Sequence, residues 1–186
     1  MNDLMGRKIA VLATDGFEQC ELEEPIQAFQ THGAETVIIS LKDDDIQGFN
    51  HQSPADMFHV DETVATARAD EYDALLLPGG VHNPDSLRAN PEAVKFVQSF
   101  FSQQKPVAAI CHGPWMLVEA DVVKGRTLTS FNSVKTDIIN AGGNWVDEPV
   151  VVDGGLITSR TPDDLDAFCR AIIDEILSAK QLRYTA

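Results

Sequence analysis

Along this 186-residue chain, short blocks of continuous apolar residues alternate with longer blocks whose apolar positions recur every three or four residues. Residues 7–13 (RKIAVLA), 36–41 (TVIISL), 73–77 (DALLL) and 106–110 (PVAAI) are runs of the first kind. Such runs, rich in β-branched residues, read as strands buried on both faces. Between the first two, Leu22, Ile26 and Phe29 share a helical stripe that runs to about Thr31, and Gly33 stops it. Pro91 sits where the first turn of a helix favours proline, with Val94, Phe96, Val97 and Phe101 carrying that helix. Gly113 and Pro114 open another helix, to about Ala120. Leu128, a helix over 134–141 and strands over 150–152 and 156–159 are predicted to complete the sheet. Thr161, Pro162, Asp163 and Asp164 form a predicted N-terminal cap for the last helix, with Asp164 in the capping-box region. Residues 45–60 alternate weakly and contain Gly48 and Pro54, which suits a small hairpin or an irregular excursion.

Strands that alternate with helices predict an α/β fold: a mainly parallel sheet covered by helices on both faces, a three-layer sandwich. No repeat, linker or low-complexity segment interrupts it, so residues 1–186 read as a single domain. In such sheets sites form at the carboxyl ends of strands. Three loops there carry candidate chemistry: Asp15-Gly16-Phe17-Glu18, Gly79-Gly80, and Cys111-His112-Gly113-Pro114. Parallel strands bring all three to one edge.

Cys111 directly follows an apolar strand and directly precedes a helix, the position of a nucleophile at an elbow. Unpaired N–H groups at the helix start favour thiolate over thiol, so a lowered thiol pKa is expected. Cys20 and Cys169 fall within helical patterns and read as packing residues. His112 is a tempting partner for Cys111, but adjacent residues in a helical turn do not face each other, so its ring need not reach the sulfur. Its backbone N–H, together with that of Gly80, could form an oxyanion hole. Glu18 would stabilise a thiolate if protonated and oppose it if ionised; equally, it could simply complement a helix dipole. Asp85 and His82, in a polar loop after Gly80, could each supply a third member of the site or merely be solvated.

The net charge of −15, with no Lys/Arg-rich run, makes nucleic acid and anionic membranes poor partners. Three scattered cysteines without CxxC spacing fit a reducing compartment. The apolar run behind the N-terminus is too short for a signal segment, and no stretch approaches the ~18 apolar residues of a membrane span, so a cytoplasmic location is expected. One thiol, one imidazole and scattered carboxylates do not form a zinc set by spacing, and neither metal nor organic cofactor is expected.

The segment Ala108-Ala109-Ile110-Cys111-His112-Gly113-Pro114 resembles the PfpI-type intracellular protease and protein deglycase family, within the class I glutamine amidotransferase-like superfamily. The resemblance extends through Asp15-Gly16-Phe17-Glu18, residues 73–80 (DALLLPGG), Asn140-Ala141-Gly142, residues 150–153 (VVVD) and residues 158–165 (TSRTPDDL). It implies a flavodoxin-like sandwich, a nucleophilic Cys111 with His112 as catalytic neighbour, Glu18 touching the sulfur and Gly80 at the oxyanion site. The activities it implies are peptidase, glyoxalase-like or deglycase, acting on small carbonyl, glycated or amide substrates in stress protection. A redox-responsive stress protein or chaperone, in which oxidation of Cys111 replaces turnover, is the alternative. Hexameric relatives complete a triad with a glutamate from a neighbouring subunit. Here Asp85 is one carbon shorter, which favours a self-associated dimer over the hexamer.

Overall fold

The computed structural model describes residues 3–184, with side chains described through 179. The four predicted apolar runs and the predicted strand over 156–159 become strands of one seven-stranded sheet: β1 (Lys8–Leu12), β3 (Glu35–Ser40), β7 (Ala74–Leu77), β8 (Val107–Ile110) and β12 (Leu156–Ser159). The short β6 (Glu62–Thr63) and β11 (Val150–Asp153) close its edges, in the order β11-β12-β8-β7-β1-β3-β6. Every pairing is parallel except β11 with β12.

Alternation along the central strands divides the core in two. Ala10, Leu12, Leu75, Leu77, Val107 and Ala109 enter one layer. Ile9, Val11, Ala74, Leu76, Ala108 and Ile110 enter the other. The first layer is covered by α2 (His82–Arg88), α3 (Pro91–Ser102), α4 (Pro114–Glu119) and α5 (Lys135–Asn140), the second by α1 (Gln19–Thr31) and α6 (Leu165–Tyr184). Both faces of each central strand are therefore dry, which is why their sequence reads as unbroken apolar runs.

Four features depart from the sequence reading. The helix expected after Gly16 begins only at Gln19, because Phe17–Glu18 (β2) pairs with Gly48 and Phe49. That pairing adds β2 to the hairpin of β4 (Ile46–Asn50) and β5 (Ser53–Phe58), a separate three-stranded sheet. Residues 82–88, read as a loop, are the helix α2. Thr127–Leu128 (β9) lies outside the main sheet and pairs with Asn144–Trp145 (β10). At the last helix the Thr161 side chain makes no cap hydrogen bond; residues 162–164 form a 3-10 turn, and Asp164 instead binds Arg160 at 2.9 Å.

Candidate active site

Cys111 leaves the end of β8 with its N–H donated to Ser159 O (3.1 Å) and its carbonyl accepting from Phe131 N (2.8 Å). Between these two anchors the residue takes φ +60°, a left-handed conformation that costs a non-glycine residue about 1–2 kcal/mol. The two hydrogen bonds sustain that strain and hold the thiol at the sheet edge; the side chain is buried, at 8% exposure.

That same turn decides the direction of the His112 ring, which the sequence left open. Because Cys111 is left-handed and not helical, the two side chains swing to one side, and His112 Nδ1 lies 3.1 Å from Sγ. The ring stacks on Phe131 (centroids 4.8 Å apart, 23° between planes) and meets Trp115 edge-on at 5.1 Å. Its far nitrogen, Nε2, is 3.1 Å from Ser133 Oγ. Burial lowers the imidazole pKa.

The carboxylate beside the sulfur belongs to Glu21, not Glu18. Glu21 projects from the first turn of α1 into the sheet edge, is fully buried, and accepts the Gly79 N–H at 2.8 Å through Oε2. Its other oxygen, Oε1, is buried with no hydrogen-bond partner among the described residues, and the carboxyl and the Cys111 thiol influence each other's ionisation. Burial is the main cause that pushes its pKa up to about 8; the nearby charge of Glu18 adds to it, and the Gly79 N–H opposes it. Gly79 is required where it stands, since a Cβ there would fall 2.5 Å from Glu21 Oε2 and 2.6 Å from Cys111 Cβ. The Glu18 side chain turns to the hairpin tip, where its two oxygens accept from His51 N at 3.2 and 3.0 Å. Glu18 sits in β2, and the strand sends its side chain away from the direction a helix would give it.

The backbone N–H groups of Gly80 and His112 favour the anion of the sulfur. Asn83, fully buried on α2, holds the Gly79-Gly80 turn in place. Its Oδ1 accepts Thr14 N at 2.8 Å, and its Nδ2 donates to Pro78 O at 3.0 Å and Gly79 O at 3.1 Å. Asp85 lies exposed in the first turn of the same helix; the two ring nitrogens of His112 are taken by Cys111 and Ser133, so no bond joins Asp85 to the imidazole. His82 is exposed as well, with its Cβ against Gly16.

The structure overturns the expected low thiol pKa: in the folded chain the Cys111 thiol is held above its ordinary value. Burial is the largest influence on Cys111 and pushes its ionisation up, as would an ionised Glu21, against the pull of the two N–H groups. The two acids titrate as a pair. While Glu21 keeps its proton it presents no charge to the sulfur, and this is the state of the pair that opposes a thiolate least. Among the described residues, no group of three His, Cys, Asp or Glu side chains is gathered to hold a metal, and no helix is long and apolar enough to cross a membrane. A surface cleft of about 670 Å³ between α1 and α6 is lined by Cys169, whose burial pushes its pKa up to about 12. That places no reactive thiolate in it, and the chemistry stays at the elbow.

A doubly covered parallel sheet that delivers a strained cysteine between a buried carboxyl and two backbone N–H donors defines an α/β protein of the cysteine-elbow class. The chain belongs to the DJ-1/PfpI family, whose sequence model matches residues 7–175. It is 42% identical over 166 residues to YraA, a candidate cysteine protease of Bacillus subtilis, covering 89% of this chain and 96% of that one. It is 44% identical over 168 residues to protein/nucleic acid deglycase 2 of Escherichia coli K12, covering 89% and 95%. Among solved structures it superposes with TM-score 0.87 and 38% identity on a two-domain protein of Anabaena variabilis containing DJ-1/ThiJ/PfpI-like and ferritin-like domains. That match covers 91% of this chain and 48% of the other, so this chain spans about half of the two-domain protein. The expected family and fold class are thereby borne out.

Proposed function

We propose that the protein is a cysteine-dependent hydrolase of the PfpI type, acting on small carbonyl compounds, their adducts on proteins, or small amides, in protection against chemical stress. The observation that carries the reading is the convergence on Cys111 Sγ of His112 Nδ1 at 3.1 Å, the neutral carboxyl of Glu21, and the N–H groups of Gly80 and His112. The thiolate attacks an electrophilic carbonyl carbon; the S–C bond forms as the C=O π pair moves onto oxygen. The Gly80 and His112 N–H groups hold the resulting oxyanion. With an amide substrate, His112 Nδ1 takes the thiol proton and gives it to the leaving amine as the C–N bond breaks, and water then cleaves the thioester to release the acid and restore the thiol. Relatives named as protease and deglycase support the reaction class and leave the substrate open.

Cytoplasmic location and self-association as a dimer belong to the same reading. Residues 1–186 are read as one catalytic unit, with no resident cofactor. Steady-state turnover of methylglyoxal and of a glycated peptide, wild type against Cys111→Ser, tests the reading. Loss of turnover to background in the variant supports it. Equal turnover, or protection from methylglyoxal toxicity that survives Cys111→Ser, overturns it in favour of a chaperone-like role.

A further inference from the structure

The segment after β9 is built around the His112 ring. Phe131 is tied to the nucleophile itself, through its N–H on Cys111 O at 2.8 Å, and its ring lies flat on the imidazole. Two residues on, in a 3-10 turn over 132–134 pinned by buried Val134, Ser133 puts its hydroxyl 3.1 Å from Nε2. On α5, Asp137 fixes the opposite wall, accepting Trp115 Nε1 at 2.8 Å. A serine at the start of a helix ordinarily caps it. Here the N-cap positions of this turn and of α5 are Phe131 and Val134, so Ser133 caps neither and its hydroxyl meets the ring instead.

We propose that Ser133 is a positioning residue that keeps the His112 proton on Nε2, leaving the Nδ1 lone pair toward the Cys111 thiol. This rests on the reading of Cys111 as nucleophile. In the resting pair Nε2–H donates to Ser133 Oγ and Nδ1 accepts S–H. On activation the S–H bond breaks and Nδ1–H forms; the bonding pair stays on sulfur, and Nε2–H still donates to Ser133. The ring gains a charge without turning. A carboxylate in this place would hold the imidazolium permanently; a hydroxyl orients the base while leaving the resting ring neutral.

Charged groups on the surrounding elements do not take over this role. Arg88 of α2 stacks on the far side of Trp115 and pairs with Glu119 of α4, Asp137 of α5 is engaged by the indole, Lys135 lies over Trp145, and Glu21 of α1 stands beyond the sulfur. Burial is what lowers the His112 pKa.

The test is the pH dependence of Cys111 alkylation by iodoacetamide, followed at that cysteine by peptide mass, with ¹⁵N NMR of the His112 ring on the full chain. Wild type is expected to carry its proton on Nε2 when neutral. Ser133→Ala is expected to slow alkylation near neutral pH about fivefold, by loss of one hydrogen bond to the imidazolium, and to move the midpoint up. Ser133→Thr is expected to restore both, and Ser133→Asp to move the midpoint down. A lowered melting temperature with an unmoved midpoint in Ser133→Ala would reduce Ser133 to a structural contact and overturn the proposal. So would a wild-type proton on Nδ1, or, should Ser133→Ala not fold, equal midpoints for the Thr and Asp variants. Alkylation reads the thiol whether or not a substrate turns over. Undiminished turnover in Cys111→Ser therefore sinks the hydrolase alone, and an unmoved alkylation profile sinks Ser133 alone.

Discussion

Replacing Glu21 by Gln should remove a pH dependence from the stability of the whole fold. In the folded chain this carboxyl is fully buried, its one firm partner being the Gly79 N–H, and its pKa rises from 4.5 to about 8. At about 1.4 kcal/mol per pH unit, that rise sets about 5 kcal/mol against ionising Glu21 in place. Between pH 4.5 and 8 the unfolded chain has released the proton that the folded chain retains, so stability must fall as pH rises through that window. Below pH 4.5 both states hold the proton and the contribution is fully present; above about 8 it is lost. Glu21→Gln keeps the shape, the acceptor for Gly79 and a donor for the sulfur, but has nothing to titrate. Urea unfolding at intervals from pH 4.5 to 8.5 should show the wild type losing about 3–5 kcal/mol relative to Glu21→Gln. Alkylation of Cys111 should survive in Glu21→Gln and slow about tenfold or more in Glu21→Leu, where the donor to the thiolate is gone. Parallel stability curves for wild type and Glu21→Gln would show that the carboxyl is ionised throughout, and would remove the neutral donor from the mechanism.

Asn83→Ala should destabilise the protein by about 2–4 kcal/mol, because it strands the Thr14 N–H and two carbonyls in a dry site; thermal melts and turnover would both register it, and unchanged values would deny Asn83 its hold on the Gly79-Gly80 turn. Glu18→Gln should leave the alkylation profile of Cys111 as it is, since the Glu18 oxygens serve His51 N and not the sulfur, and a marked shift in that profile would return Glu18 to the site. Asp85→Asn should be nearly silent in turnover, and activity per chain should stay constant on dilution, because His112 finds its second partner, Ser133, within its own chain. A large Asp85→Asn defect, or activity that falls with dilution, would mean that a neighbouring subunit completes the site.

The sheet was legible because burial on both faces forces continuous apolar runs, and four such runs mark β1, β3, β7 and β8 without ambiguity. The helix α2 was not: in seven residues it buries only Asn83, Pro84 and Leu87, too few apolar positions to show a helical period, and Asn83 faces inward to bond Thr14 and Pro78. Short β9 and β10 pair only with each other, and a two-residue strand leaves no period to read.

The choice between Glu18 and Glu21 shows most directly where the sequence stops. Both acids lie near the start of a helical pattern, three residues apart, and would share a face if both were helical. Glu21 is also four residues before Pro25, which is buried on the inward side of α1, and that spacing is the signal that could have singled it out. What decides between them is the pairing of Phe17–Glu18 with a hairpin some 30 residues further on, a non-local contact that removes Glu18 from the helix. The direction of the His112 ring, which spacing left open, has the same origin. Neighbours on a helix cannot face one another, and the rule fails here only because Ser159 and Phe131, far along the chain, hold Cys111 in a left-handed turn outside the helix. In both cases the catalytic geometry is imposed on strained or irregular backbone by distant partners. The residue types at such a site can be read locally, whereas their directions follow from the closed fold.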